Sequence, residues 1–307
     1  MGARHFGVGA ETTWGTAVTP TRFFEALSES VETQKEYDRI ATLRSFSTQQ
    51  LVELSSVVQG DVEILAGYHG IGILYKYLIG SVTTTTGSVN THTFPATTGI
   101  PATDRVGLGL TMEFRRDGSL VWTYKGAKIT GFQHSAGTDQ AQRMTWSFLA
   151  ASETTGSTPT TASYSTLAPM TPAQAAVLFD GTTLSARSWS ISVENPVDQP
   201  FTLGSTVLAY EPDRSDVLKV SGSCEVYFAD WTQYNKFVNA TDVDITLKSA
   251  MTSYSVTYNL DKARIVSGTP HNSGRERLAV TYEFETYFNT TATENVQIVL
   301  VNADSTP

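Results

Sequence analysis

The sequence predicts a mainly β protein made of two tandem units, each with one flanking α-helix. The first observation is a repeat: four of the five residues in Ser28–Glu32 return in Ser190–Glu194, at an offset of 162 residues. The same offset carries Val58–Glu63 onto Val220–Glu225, where Val, Gly and Glu coincide. Two blocks that keep one register indicate a duplicated unit, and such a repeat sets the architecture of the chain.

The second observation is an alternation of apolar and polar residues with a period of two, which is typical of half-buried strands. It runs through Val57–Leu65, through its repeat partner from Val220 to Phe228, and through Trp189–Glu194. The remaining predicted strands are Leu108–Arg116, Leu120–Tyr124, Ala127–His134 and Arg143–Leu149 in the first half, and Asp242–Lys248, Tyr254–Asn259, Ala263–Val266 and Leu278–Phe288 in the second. Asp117-Gly118, between two of these patterns, predicts a hairpin turn.

Each half also contains one helical pattern. Residues Tyr68 to Ile79 place apolar side chains at helical spacing, and Gly80 is positioned to end that helix. In the second half, Asp230 is expected to cap a short helix that runs through Tyr234 and Phe237 to Val238.

The length of 307 residues is typical of about two domains. We predict an N-terminal arm at residues 1–22, a first unit at 23–151, a linker at 152–171 and a second unit at 172–307. The repeat offset falls from 162 to 136 for the later strands, so the first half holds an insertion, for which the Thr-rich stretch Ser81–Thr103 is the expected place. Residues 35–56 and 196–218 are predicted to form long loops.

Composition limits the possible functions. The formal net charge of −9 argues against a basic surface that grips nucleic acid. The single cysteine, Cys224, excludes a disulfide within the chain and fits synthesis in a reducing cytoplasm. The N-terminus lacks the apolar run of a signal peptide, and the longest apolar stretch, Ile71 to Ile79, is too short to span a bilayer. No membrane insertion is expected.

The motifs that would indicate an enzyme are weak. The five histidines do not pair at metal-binding spacing, and Cys224 lies on the apolar face of its strand, as a buried structural thiol would. Asp61 and Glu63 share one strand face and could form a glycosidase-like pair, although such pairs are more often surface charges. Gly70-Ile71-Gly72 lacks the third glycine of a dinucleotide site. We therefore predict no catalytic residue, no cofactor and no metal.

Together these features resemble the major tail tube proteins of siphophages, the phages with long non-contractile tails. The opening phrase Gly7–Pro20 is similar to the first segment of that family, and Gly60–Ile64 with Gly70–Val82 is similar to its sheet strand and single helix. Thr91–Phe94 and Tyr124–Ile129 are similar to the strand starts that follow. The resemblance covers nearly the whole chain. It implies two tail-tube-type β-sandwich or half-barrel units.

The resemblance also implies an assembly. Inner strands of neighbouring units join into a continuous β-barrel that lines a tube, and family members with one unit form hexameric rings. A two-unit chain would then close a pseudo-sixfold ring from three copies, with a hexameric ring as the alternative. The implied partners are other copies of the chain, the tape-measure protein, the tail terminator and distal tail proteins, and double-stranded DNA that passes through without sequence-specific binding.

In this interpretation the chain is made in the host bacterial cytoplasm and ends in the virion tail. The arm at residues 1–22 and the two long loops would reach neighbouring copies, so deletion of residues 1–20 is expected to leave a folded monomer that cannot form tubes.

Carboxylates on the polar strand faces are the candidate functional residues. The residues expected to face the lumen are Glu32, Asp61, Glu63, Glu194 and Glu225. Because duplex DNA is densely negative, an acidic wall would prevent it from sticking. The alternative is that these are ordinary solvated strand faces. The alternative function is a tandem β-sandwich carbohydrate-binding or adhesin-like module, in which some of Trp14, Trp122, Trp146, Trp189 and Trp231 would stack on sugars.

Overall fold

A computed structural model describes residues 4–44, 46–97, 109–166, 168–271, 274–275, 277–288 and 294–307. The first half contains β1 (His5–Ala10), β2 (Arg22–Phe24), β3 (Ala26–Glu29), β4 (Glu32–Ile40), β5 (Gln50–Leu65), α1 (Gly72–Ile79), β6 (Thr83–Thr85), β7 (Asn90–Thr97), β8 (Leu110–Asp117), β9 (Leu120–Gly137), β10 (Arg143–Ala150) and β11 (Ser152–Thr155). The second half contains a 3₁₀ turn (Pro172–Gln174), β12 (Ala175–Phe179), β13 (Thr182–Thr183), β14 (Ala186–Glu194), β15 (Lys219–Tyr227), α2 (Thr232–Val238), β16 (Asp242–Ala250), β17 (Ser255–Ser267), β18 (Ala279–Thr286) and β19 (Glu294–Asn302). The predicted mainly β class is confirmed.

One antiparallel sheet runs through both halves, and we call it the shared sheet. Its strand order is β3 and β4 on one edge, then β5, β10, β9, β14, β15, β18 and the last residues of β17. The halves meet where Gly131–Gly137 of β9 pairs with Ser188–Glu194 of β14. Backbone hydrogen bonds, and not only side-chain packing, therefore join the first half to the second.

Each half is completed by an outer sheet that packs against the shared sheet. In the first half its order is β2, β1, β8, β9 and β11. In the second half it is β13, β12, β16, β17, β19, β7 and β6. The long strands β9 and β17 belong to both sheets of their half. Strand β7 lies in the sequence of the first half but pairs with β19 in the second.

The two halves use the same strand registers. Gly60 lies opposite Phe148 in the first half, and Gly222 lies opposite Phe284 in the second. These positions are related by the sequence offsets of 162 and 136. The irregularity that follows Ser147 in the β10–β9 pairing recurs at the corresponding place in the β18–β17 pairing. The duplication and the boundaries of the units remain predictions, which these correspondences favour.

The glycine that repeats in both phrases has a steric reason. A Cβ atom at Gly60 would lie 2.5 Å from the carbonyl oxygen of Ser30, and one at Gly222 would lie 2.5 Å from the carbonyl oxygen of Ser190. Real Cβ atoms do not approach backbone so closely, so a larger residue would push the neighbouring strand away.

The buried apolar side chains of both halves form one cluster. At its centre, a chain of polar groups crosses from α1 to the second half. The Tyr75 and Tyr258 hydroxyls lie 2.6 Å apart, and Tyr258 lies 2.7 Å from Nδ1 of His134. Nε2 of His134 lies 3.0 Å from Oε1 of Gln142, which also accepts a hydrogen bond from the Ser249 hydroxyl. Because unpaired buried polar groups are costly, this network fixes how the halves pack.

Both predicted helices are confirmed. Helix α1 ends at Gly80, which has the left-handed φ of 97° expected of a C-terminal glycine. Helix α2 starts beside Asp230, whose carboxylate accepts a hydrogen bond from the Thr232 amide at 2.8 Å. The predicted turn is also present, because β8 ends at Asp117 and β9 starts at Leu120.

Two predictions about irregular segments are wrong. Residues 35–56 are not a loop: most of them lie in a hairpin of β4 and β5, with Lys35 opposite Ser56 and Ile40 opposite Gln50. Alternation was weak there because both faces of the hairpin are exposed along most of its length. Residues 5–10 are not part of an extended arm, since β1 is buried and pairs with β2 and β8. Deletion of residues 1–20 would therefore remove part of the core.

Other predictions agree or lie partly outside the described residues. Residues 196–218 are irregular apart from an isolated bridge between Val197 and Arg214, as predicted. The predicted insertion Ser81–Thr103 includes β6 and β7, whereas its residues 98–103 lie outside the part of the chain that is described.

The buried histidine predicts a dependence of stability on pH. Burial lowers the pKa of His134 to about 3, from an ordinary value of 6.5. The unfolded chain therefore takes up this proton first, and stability should fall as the pH drops from about 6.5 towards 3, by up to about 1.4 kcal/mol per pH unit from this group. Urea unfolding of the unassembled chain between pH 7.5 and 5 measures the slope. His134→Gln should show a shallower slope, and equal slopes would contradict the assignment.

Candidate assembly surface

The shared sheet has one buried and one polar face. Side chains such as Val62, Trp146 and Ile191 point into the core, so the alternate residues point outwards. These outward residues are mostly small and polar: Gln133, Ser135, Thr145, Ser147, Ser188, Ser190, Ser192, Ser221, Ser223 and Thr281. The polar face is therefore continuous across the junction of β9 and β14.

All five predicted carboxylates lie on this polar face. Glu32, Asp61 and Glu194 line one open groove of about 670 Å³, whose other walls include Thr130 and Ser147. The structure thus brings together residues from both copies of the repeat. These residues lie close together because only two strands, β10 and β9, lie between β5 and β14 in the shared sheet.

The other two predicted carboxylates are paired with arginines. Glu63 accepts a hydrogen bond from Arg143 at 3.0 Å, and Glu225 accepts one from Arg187 at 2.7 Å. Such partly exposed pairs contribute about 0–1 kcal/mol to stability, so they adjust the charge of the face more than they hold the fold.

Besides these two arginines, three further charged residues on this face were not predicted. Glu283 lies opposite Ser223, Glu285 lies opposite Ser221, and Lys219 lies opposite Glu194. Both glutamates are exposed. The alternation in β18 could have identified them. Tyr282 and Phe284 match buried residues of β10, so the residues that follow each of them, Glu283 and Glu285, lie on the opposite, polar face. With them, acids outnumber bases on the polar face.

A second exposed element is the distal hairpin, which we define as residues 35–56. It projects beyond the core and carries exposed apolar side chains at Leu43, Phe46, Leu51 and Leu54. The Ser56 amide donates a hydrogen bond to the carbonyl oxygen of Thr206 at 2.6 Å, which connects the hairpin to the irregular segment 196–218. An isolated two-stranded ribbon is marginal in water, and exposed apolar groups of this kind mark contact sites.

One buried carboxylate has a structural role instead. Oε1 of Glu11 accepts hydrogen bonds from the Thr111 hydroxyl at 2.9 Å and from the Gly126 amide at 2.8 Å, and Oε2 accepts one from the Gly15 amide at 2.7 Å. The Trp14 ring donates to the carbonyl oxygen of Gly126 at 3.0 Å. These contacts fasten the opening phrase of the sequence to β8 and β9.

The side chains considered for catalysis have other surroundings. Cys224 is buried, and burial raises the pKa of its thiol to about 12, so it remains protonated. Among the residues that the structure describes, no three His, Cys, Asp or Glu side chains form a metal-binding group. No helix within the described ranges has the length and apolar character needed to cross a bilayer.

This fold and this surface define a structural, mainly β protein with a continuous polar sheet face. Comparison with known families matches residues 3–297 to a family described as phage tail tube protein. The chain therefore belongs to the phage tail tube protein family and is a structural component of the bacteriophage virion tail. Membership implies self-assembly into a tube and association with other tail components. No curated protein matches the sequence.

The contrast between buried and exposed carboxylates gives a test. Glu11→Gln would place an amide NH₂ group among three hydrogen-bond donors, and we expect a loss of about 2–4 kcal/mol in the free energy of unfolding. Glu283→Gln, on the polar face, should change it by less than about 0.5 kcal/mol. Urea denaturation of the unassembled proteins measures both. Equal effects would show that the buried carboxylate does not have the structural role assigned to it.

Proposed function

We propose that copies of this chain close into rings through the shared sheet, and that the rings stack into the tail tube. The preferred ring contains three chains arranged with pseudo-sixfold symmetry, and a ring of six chains is the alternative. The observation that carries this proposal is the continuous polar face across both halves. Two separate β-sandwiches would each have their own exposed sheet edges, whereas the two halves of this chain already form one continuous sheet.

The polar face is the proposed lining of the tube. Closing a sheet into a barrel removes its exposed edges, which are otherwise prone to uncontrolled association. On this face the carboxylates outnumber the basic groups, and two of those, Arg143 and Arg187, are already paired with Glu63 and Glu225, so the lining offers few groups that bind phosphate. We propose that Glu32, Asp61, Glu63, Glu194 and Glu225, together with Glu283 and Glu285, repel double-stranded DNA and let it pass without sequence-specific binding.

The distal hairpin and the segment 196–218 are the proposed contacts between rings. Both project from the same end of the shared sheet, because β5 continues from the sheet into the hairpin. The side chains of Leu43, Phe46 and Leu203 are fully exposed in the single chain. Burying each of them against another ring would contribute roughly 1.5–3 kcal/mol.

The remaining partners follow from the proposed position in the tail. The tube would hold the tape-measure protein before DNA passes, and its ends would contact the tail terminator and the distal tail proteins. The carbohydrate-binding alternative is not favoured by the tryptophans: Trp146 and Trp189 are buried, and Trp14 is fastened by its hydrogen bond to Gly126.

Electron microscopy of the purified protein tests the proposal. Concentrated protein should form rings or tubes with a central channel, and averaged end views should contain three copies of the chain. Native mass spectrometry of isolated rings counts the copies independently. A protein that stays monomeric in solution and is missing from the tube of virions would disprove the proposal, and six copies per ring would disprove the threefold arrangement.

Ring stacking can be separated from ring closure at the hairpin tip. Leu43→Ser with Phe46→Ser removes two fully exposed apolar side chains without touching the core, so the fold and the rings should be retained. Tubes should be lost or shortened, as measured by electron microscopy and sedimentation. Met251→Ser, in the turn between β16 and β17 and outside both the hairpin and the segment 196–218, removes an exposed apolar side chain and serves as a comparison that should leave stacking intact. Tubes of normal length from the double variant would contradict this role of the hairpin.

A further inference from the structure

We propose that the aromatic face of α2 and the free edge of β17 bind a second copy of this chain, at the edge formed by its β3 and the start of β4 and at its β8–β9 hairpin. This inference rests on the proposed ring assembly and deepens it by assigning the two surfaces and their strand register. We use the junction between the two halves of one chain as the template for the contact between copies, because it shows how one unit binds the next.

The internal junction has two components. The first is the backbone pairing of β9 with β14. The second is α1 with its preceding turn, which packs against the second half. There Tyr75 contacts Tyr258, and the Tyr68 hydroxyl donates to Gln174 at 3.0 Å while its ring lies 6.3 Å from that of Tyr254.

Helix α2 occupies the corresponding place in the second half but lacks such a cover. It follows β15 as α1 follows β5, and Ile71, the N-cap residue of α1, corresponds to Trp231, the N-cap residue of α2. Ile71 is 1% exposed, whereas Trp231 is 61% exposed. Aromatic rings follow one another at a spacing of three residues along this face, with contacts of 5.4, 5.5 and 6.0 Å between the successive rings of Phe228, Trp231, Tyr234 and Phe237. We call this set the aromatic stripe.

The surface that would cover the aromatic stripe is found in the first half. Tyr258, at the internal junction, and Val256, two residues before it in β17, are fully buried. Their equivalents at the offset of 136 are Trp122 and Leu120, and Leu120 is 57% exposed. The Arg116 guanidinium lies 4.8 Å from the centre of the Trp122 ring. The same guanidinium is held in place by an ion pair with Glu29 at 2.8 Å. This hairpin therefore offers apolar area to aromatic side chains.

The strand edges on the same two sides are also open. Within the described residues, β3 and β4 pair only with β5, and Ile265–Ser267 of β17 pairs only with β18. Each edge carries an exposed apolar side chain, Leu27 at 45% and Val266 at 48%. Open edges with apolar residues are sites where another strand adds.

The internal junction also predicts the register between copies. The structure corrects the sequence repeat here by two residues: Ser30, and not Ser28, takes the place of Ser190. The Ser30 amide donates to the Asp61 carbonyl at 2.9 Å, and Asp61 is the repeat equivalent of Ser223, which pairs with Ser190. In the internal junction Ser192 lies opposite Gln133. Glu32 corresponds to Ser192, because it follows Ser30 by two residues, and Thr269 corresponds to Gln133 at the offset of 136. The same pairing between two copies therefore places Glu32 of one copy opposite Thr269 of the next. The neighbouring pair would be Gln34 with Ser267.

The geometry of the template identifies the occupant as a second copy. The donor surface lies on the second half and the acceptor surface on the first half, so one chain cannot satisfy its own surfaces. Such head-to-tail contacts form rings when the rotation closes. A carbohydrate or an unrelated protein would not require both the aromatic stripe and the strand edge at once.

Removal of the stripe's central ring tests the contact. Trp231→Ser should raise the protein concentration needed for ring formation at least about tenfold, since exposed aromatic anchors dominate interfaces of this kind. Near-ultraviolet circular dichroism and the urea midpoint should show a folded chain. Tyr164→Ser, which removes an exposed ring on the side of the internal junction near His69, is the matched control and should assemble as the wild type does.

Cysteine crosslinking tests the register. A chain with Glu32→Cys and Thr269→Cys should, on oxidation of assembled protein, give disulfide-linked dimers and a closed trimer. In a chain with Glu32→Cys and Ser267→Cys, one of the two cysteines is displaced by two residues along its strand. The Cβ atoms of the two cysteines on neighbouring copies then lie beyond the roughly 4 Å that a disulfide requires, so crosslinking should be at least about tenfold lower.

The outcomes separate the inference from the proposed function. Wild-type protein that never forms rings would overturn both. Rings from wild-type and Trp231→Ser protein at the same concentration would overturn the role of the stripe while the tube function stands. Stronger crosslinking of the displaced pair than of the predicted pair would overturn the register in the same way.

Discussion

The pairing of β9 with β14 is the constraint on which the rest of the structure depends. Because these strands exchange backbone hydrogen bonds, the two halves share one sheet and cannot rotate relative to each other without breaking that ladder. The shared sheet fixes a single polar face, and it leaves open edges only at its two ends. The buried network around His134 and Tyr258 reinforces the same junction from the core side.

The exposed polar and the exposed apolar side chains lie on different parts of the shared sheet and its neighbouring elements. Polar, hydroxyl-rich residues cover the outward face of the shared sheet. Exposed apolar side chains lie instead at the strand edges, on α2 and on the distal hairpin, where another chain can cover them. Such clusters are unusual on a protein that works alone, and they identify contact surfaces more directly than any single residue does.

The sequence predicted the parts of the fold that depend on local pattern. Alternation identified the strands of the shared sheet, and Gly80 identified the end of α1. It failed for β4, whose two exposed faces leave no alternation to detect, and for β1, where glycines obscured a buried strand. Glu63 was found because it repeats as Glu225, whereas Glu283, although it lies in the predicted strand Leu278–Phe288, corresponds to Ser147 and has no repeated carboxylate to mark it. Pairing partners such as β7 with β19 depend on contacts that no local pattern records.

The partnership between β7 and β19 has a consequence for synthesis. Strand β7 leaves the ribosome early, yet the only long strand beside it among the described residues, β19, is made after all the other strands of the second half. Until then β7 keeps an unpaired edge, so the outer sheet of the second half is completed last. Chains interrupted during translation would carry this open edge and differ in shape from finished ones.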